Sequence, residues 1–192
     1  MPTLDLTALR PAAPKPLELG FLGLATLYLI PTLLSPGRAT VLDGVIFYTH
    51  EAGHVLFSPF GTFLTIAGGT ITQLLVPVAF VTYFVRQGQP FSAAIVLYWL
   101  ARSLGHASVY AGDALTLDLP LSGSWESGAE EMAEHGETRH DWRNMLEMLG
   151  LLNATYVVSG ALRLAGTLVF ALGLYAGLLT GGVPVPARFT WR

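Results

Sequence analysis

Cysteine is absent from the 192 residues of this chain. Its absence excludes disulfides, iron–sulfur clusters and thiolate zinc sites, and leaves His, Asp and Glu as the side chains able to ligate a metal. Charge is scarce too: 12% of residues are charged, about half the ~25% usual in soluble domains. The formal net charge is only −3 and no basic cluster occurs, so no nucleic-acid partner is expected. A signal-peptide pattern is also missing from "MPTLDLTALRPAAPKPLELG", where prolines and mixed charge precede the first apolar run. Residues 1–16 read as a flexible or surface-lying lead-in.

What the chain has in abundance is apolar surface: 52% of residues are hydrophobic and the mean hydropathy is +0.54. Long uncharged runs predict an all-α, multi-span integral membrane protein with about five transmembrane helices, its partner being the lipid bilayer. The expected spans are Leu17–Leu34, Val41–Ser58, Gly61–Val85, Phe91–Gly112 and a last one near Tyr156–Leu179. The run Asn144–Thr180 is too long for one crossing of a ~30 Å core at 1.5 Å per residue. It predicts either a short helix near Trp142–Leu152 followed by the final span, or one long projecting helix. Residues 17–180 thus form one membrane-embedded domain, interrupted by an acidic extramembrane insert at 113–143 and followed by a tail at 181–192. Arg10, Lys15, Arg139 and Arg143 fall on one side, and Arg38, Arg86, Arg188 and Arg192 on the other. That even division leaves the orientation open.

Against this background "FYTHEAGHVLFSPFG" places His50, Glu51 and His54 in the spacing His-Glu-x-x-His. On a helix, residues i and i+4 share a face, so His50 and His54 can offer two imidazole nitrogens to one ion. Glu51, beside the first of them, can act as general base on an activated water, which is the zinc-hydrolase arrangement. The competing reading is a set of buried polar residues that satisfy one another. A charged side chain at mid-bilayer costs roughly 2.5–3.5 kcal/mol even on the lenient insertion scale, so such residues call for a function.

A His-Glu-x-x-His helix, a glycine-rich span after it and a later aspartate at the head of another helix resemble the site-2 protease family of intramembrane zinc metalloproteases. The resemblance implies a helical membrane core in which two histidines and a distant aspartate hold Zn2+ within the bilayer. It further implies His50 and His54 as metal ligands and Glu51 as the catalytic base. In "AGGTITQLL", Gly69 fits the family's glycine, and Gln73 stands where the family has asparagine. By that likeness both lie beside the substrate, while Gly68, Gly69 and Thr72 equally suit close helix packing through small residues.

Two imidazoles do not complete a catalytic zinc site, which needs three protein ligands and an open position. "GETRHDWRNML" offers Asp141 and, beside it, His140, although the family's Asp-Gly context is replaced by His-Asp-Trp. Asp141 is the first candidate and His140 the second, with one of them ligating and the other supporting it. Asp113 in "YAGDAL" is the third candidate, and His106 precedes it on the same helix. Arg102 and Arg163, cations within apolar runs, are expected to snorkel or to pair with a carboxylate. His135 and its neighbouring glutamates read as a solvated acidic face.

The expected function is therefore a zinc-dependent metallopeptidase that hydrolyses a peptide bond of a membrane-spanning protein substrate. A membrane zinc hydrolase acting on a lipid amide or a prenylated peptide, and a non-catalytic metal-binding scaffold, are the alternatives.

Overall fold

The computed structural model describes residues 15–120, 127–135 and 138–182. The described residues are all-helical apart from turns and one isolated bridge between Pro120 and Ser127. Most of the expected lead-in and tail, and residues 121–126 and 136–137 of the insert, lie outside them.

Helix α1 (Pro16–Leu29) gives way to a single further turn, α2 (Pro31–Leu34), because Pro31 has no N–H to continue the ladder. A loop leads to α3 (Leu42–Phe57), a 3-10 turn at Ser58–Phe60 leads to α4 (Thr62–Arg86), and a tight turn leads to α5 (Pro90–Gly112). The insert carries the short α6 (Gly128–His135), followed by α7 (Asp141–Met148) and the long α8 (Thr155–Gly182). Of the two readings of the last apolar run, the broken one holds. Gly150 takes φ +68°, and the Leu151 N–H closes back on the Leu146 carbonyl at 2.7 Å, which stops α7 before α8 begins.

Three helical segments are long and apolar enough to cross a membrane: Pro16–Leu34, Thr62–Arg86 and Leu152–Gly181. Five were expected, and the two that fall short do so for identifiable reasons. Helix α3 has 16 residues, about 24 Å at 1.5 Å each, less than a ~30 Å core. Helix α5 is long enough, but Ser92, Arg102, Ser103, His106 and Ser108 dilute its apolar character. These two helices also carry much of the polar machinery described below.

The helices pack in the spatial order α3, α4, α5, α8, α1, with α7 lying across α4 and α5. Small residues set the spacing. A Cβ at Gly166 would come 3.1 Å from the Ala101 carbonyl oxygen, and one at Gly173 would come 3.1 Å from that of Ala94. Helices α5 and α8 can therefore approach to backbone contact. Leu22, Leu29, Tyr98, Ala101 and Phe170 form the buried core beside this seam, with the Tyr98 and Phe170 rings stacked 4.6 Å apart. The outer face of α8 shows a stripe of Leu164, Leu168, Leu172 and Tyr175, each more than half exposed.

Arg102 and Arg163, the two cations within apolar runs, are both used within the protein. Buried Arg102 pairs with Asp43 (Nε–Oδ1 2.7 Å) and donates to the carbonyls of Pro36 and Arg38, which fastens the loop before α3 to α5. Arg163 donates to the carbonyls of Leu33 and Leu34 at the end of α2.

Candidate metal centre

The site begins at the crossing of α3 and α4. A Cβ at Gly53 would collide with the Gly68 carbonyl, and one at Gly68 would lie 2.6 Å from the Gly53 carbonyl oxygen. Only paired glycines allow so close a crossing. One residue on, a Cβ at Gly69 would sit 2.7 Å from His50 Nε2 and 2.8 Å from His54 Nε2, so the bare glycine is the floor beneath both imidazoles. The expectation of close packing thus holds for Gly68, whereas Gly69 makes room for the two rings.

His50 and His54 lie on one face of α3 with ring centroids 4.8 Å apart. His50 Nδ1 is 3.0 Å from Gln73 Oε1, and the Gln73 amide is turned that way because its Nε2 donates to the Ser103 carbonyl at 3.3 Å. His54 Nδ1 is 2.8 Å from the Thr65 carbonyl. An amide or peptide oxygen can only accept, so each Nδ1 carries a proton and donates it. In the neutral imidazole each Nε2 then carries a lone pair. Both point at one carboxylate oxygen, Asp141 Oδ2, at 2.9 Å from His50 and 3.3 Å from His54.

The arrangement gathers three acceptor atoms, all within 4.8 Å of one another, which repel unless a cation joins them. Ligands at about 2.0–2.1 Å from a tetrahedral ion lie roughly 3.3 Å apart, close to the 2.9 and 3.3 Å that separate Asp141 Oδ2 from the two imidazoles. The His50–His54–Asp141 group can hold a metal ion. Burial would raise the Asp141 carboxyl, but the two imidazoles that face it outweigh burial and hold the group below its ordinary value, in the ionised form that ligation requires.

The remaining expected residues take distinct places. Glu51, half-buried next to His50, is near enough for its charge to act on His54 and on Tyr110. Gln73 is 1% exposed, behind His50, and both ends of its amide are engaged inside the bundle. It supports the His50 ring from inside the bundle. His140 does not join the three-residue group. Its Nε2 is 3.2 Å from Asp113 Oδ2 and its Nδ1 accepts from the Arg143 N–H at 3.1 Å. Burial holds its imidazole below the ordinary value, against the pull of Asp113. Asp113, the third ligand candidate, is thereby also outside the group. His106 is half-buried on α5, and its Nδ1 has no hydrogen-bond partner.

The insert is only partly a solvated face. Glu131 is buried and accepts from the Arg139 backbone N–H and guanidinium, tying α6 to the segment before α7. Between them a cleft of ≈ 470 Å³ is lined by Ile66, Glu131, His135, Thr138 and Asn144, with Asp141 in its wall. Thr65 and Tyr110 carried no signal in the sequence: one contributes a backbone carbonyl, the other a hydroxyl reached only through tertiary packing.

Comparison with protein-family models, with curated proteins and with solved structures finds no match in any of the three.

Proposed function

We propose that this chain is an intramembrane zinc metalloprotease, akin to the site-2 protease family, that hydrolyses a peptide bond of a membrane-embedded protein substrate. The observation that carries the reading is the convergence of two imidazole nitrogens and a carboxylate oxygen on one point, with Glu51 adjacent. His50, His54 and Asp141 would hold the ion, which when bound supplies a Lewis acid and an open position for water. Gln73 and Thr65 keep the two rings in the ligating tautomer, and Gly69 keeps the space beneath them clear. Glu51 takes a proton from the attacking water as its oxygen bonds to the scissile carbonyl carbon. The same carboxyl then returns that proton to the amine nitrogen as the C–N bond breaks.

Three spanning segments and the leucine stripe of α8 support placement in a bilayer. In this reading α3 and α5 also cross it, their polar residues sheltered by neighbouring helices. The cleft beside Asp141 gives water a route in. A substrate helix has to unwind locally to be cut, since its carbonyls are otherwise hydrogen-bonded.

The test is zinc content of the detergent-purified full chain, followed by cleavage assays on synthetic transmembrane peptides and on acyl-amide lipids. One zinc per chain, lost in H54A and D141A, together with peptide cleavage, is the expected result. Lipid-amide cleavage alone would replace the substrate class, and a wild-type chain without zinc would overturn the proposal.

A further inference from the structure

Asp141 reaches the imidazoles from outside the α3–α4 pair, on a helix of 8 residues, too short to hold its own shape in water. Its position must therefore be imposed from elsewhere, and the contacts at its N-terminus identify the source. The Asp141 N–H donates to the Tyr110 hydroxyl at 3.1 Å. The His140 ring, 0% exposed, bridges two helices: Nδ1 accepts from the Arg143 N–H in the first turn of α7, and Nε2 meets Asp113 at the end of α5. Since a backbone N–H occupies Nδ1, the ring proton sits on Nε2 and must meet an acceptor.

Asp113 is itself held. It accepts from the Thr116 hydroxyl at 2.8 Å and from the N–H groups of Asp118 and Leu119 at 2.8 and 3.1 Å. Tyr110, one turn earlier on α5, stacks at a tilt on the His140 ring, 4.3 Å between centroids, and lies edge-on to His50 at 6.1 Å. The last turn of α5 thus contacts both the helix that brings Asp141 and one of the imidazoles that Asp141 meets.

We infer that Asp113 and His140, with Tyr110, are positioning residues that latch α7 to α5 and set the Asp141 carboxylate at the metal centre. The latch rests on the metalloprotease reading only in taking Asp141 as a ligand.

Two measurements on the full chain in detergent test it: zinc affinity by chelator competition, and hydrogen exchange of residues 141–148 in metal-free protein. His140→Asn keeps a side chain able to cap α7 but cannot reach Asp113. Asp113→Asn keeps the size but leaves one acceptor oxygen for the donors that two carboxylate oxygens serve, the His140 ring N–H among them. Each is expected to weaken zinc binding about ten-fold at an unchanged global unfolding midpoint, and to speed exchange in α7. Because both remove one bond, the double variant should be no worse than the weaker single. Zinc affinity within two-fold of wild type in both singles, or losses that multiply in the double variant, overturns the latch and leaves the metalloprotease reading standing. A wild-type chain that binds no zinc overturns that reading instead; the exchange data then decide the latch, which unchanged rates in α7 would refute. Should either variant fail to fold, Tyr110→Phe removes only the oxygen that receives the Asp141 N–H, and unchanged affinity and exchange in that variant would equally end the proposal.

Discussion

His50 Nδ1 donates to Gln73 Oε1 at 3.0 Å, and that one bond decides which nitrogen of His50 faces Asp141. The amide of Gln73 cannot flip without losing its own bond to the Ser103 carbonyl. Replacing Gln73 by Leu removes the acceptor at nearly constant volume and frees the ring to turn or change tautomer. Zinc affinity is expected to fall about ten- to a hundred-fold, while Gln73→Glu, which keeps an acceptor at the same reach, should retain more. Chelator competition on the two variants distinguishes an orienting bond from simple packing. Equal losses in both would point to packing.

Gly69 allows a sharper steric test. The added methyl of Gly69→Ala would fall within 3 Å of both imidazoles, and the two rings cannot retreat without leaving Asp141. Gly160 on α8 has nothing within 4 Å of an added Cβ, so Gly160→Ala is the matched control. Zinc should be lost from the first variant and kept by the second, with both chains folded by circular dichroism. Full zinc occupancy in Gly69→Ala would mean that the ion sits elsewhere.

The contrast between these residues shows what the sequence could and could not tell. His50 and His54 were legible because their juxtaposition depends only on helical periodicity, which is local. The choice between His140 and Asp141 was not, since consecutive helix residues point about 100° apart and only docking on α5 reveals which one faces the imidazoles. Gln73 and Thr65 acquire their roles from a helix crossing that two glycines permit, and Tyr110 from the docking of α7 on α5; neither geometry is written in composition. Three of the five expected spans are long and apolar enough to cross a membrane; α3 is short, and α5 carries polar residues that it buries against protein, Arg102, Ser103 and Ser108 among them. The acidic insert misled, because Glu131 is interior despite its neighbours.

That burial makes the insert sensitive to acid. Burial alone would raise the Glu131 carboxyl, but the Arg139 N–H and guanidinium outweigh it, so its folded value lies below the ordinary 4.5. A depressed carboxylate stabilises the fold above its unfolded value, and the contribution disappears as pH falls through the folded value. The contact between α6 and the chain before α7 should therefore be intact at neutral pH and should weaken only below pH 4.5. Hydrogen exchange of α6, corrected for intrinsic rates, is expected to show that loss in wild type. In Glu131→Gln protection should be reduced already at pH 7 and should lack the acid step. An acid step that persists in Glu131→Gln would assign it to another carboxylate.

Glu51 separates chemistry from metal binding. It is beside the ligands without being one of the three atoms that converge, so Glu51→Gln should bind zinc as tightly as wild type. What it loses is a base: an amide cannot accept the proton that water must shed as its oxygen bonds to the carbonyl carbon. General-base catalysis contributes typically about 10²–10⁴-fold, and kcat for a transmembrane peptide should fall by that factor with KM little changed. Glu51→Asp keeps the carboxylate but withdraws it by one methylene, and should lie between the two. Cleavage by Glu51→Gln within about ten-fold of wild type would show that the proton goes elsewhere. Zinc lost together with activity would instead make Glu51 part of the ligand framework, because a base that only moves a proton contributes nothing to holding the ion.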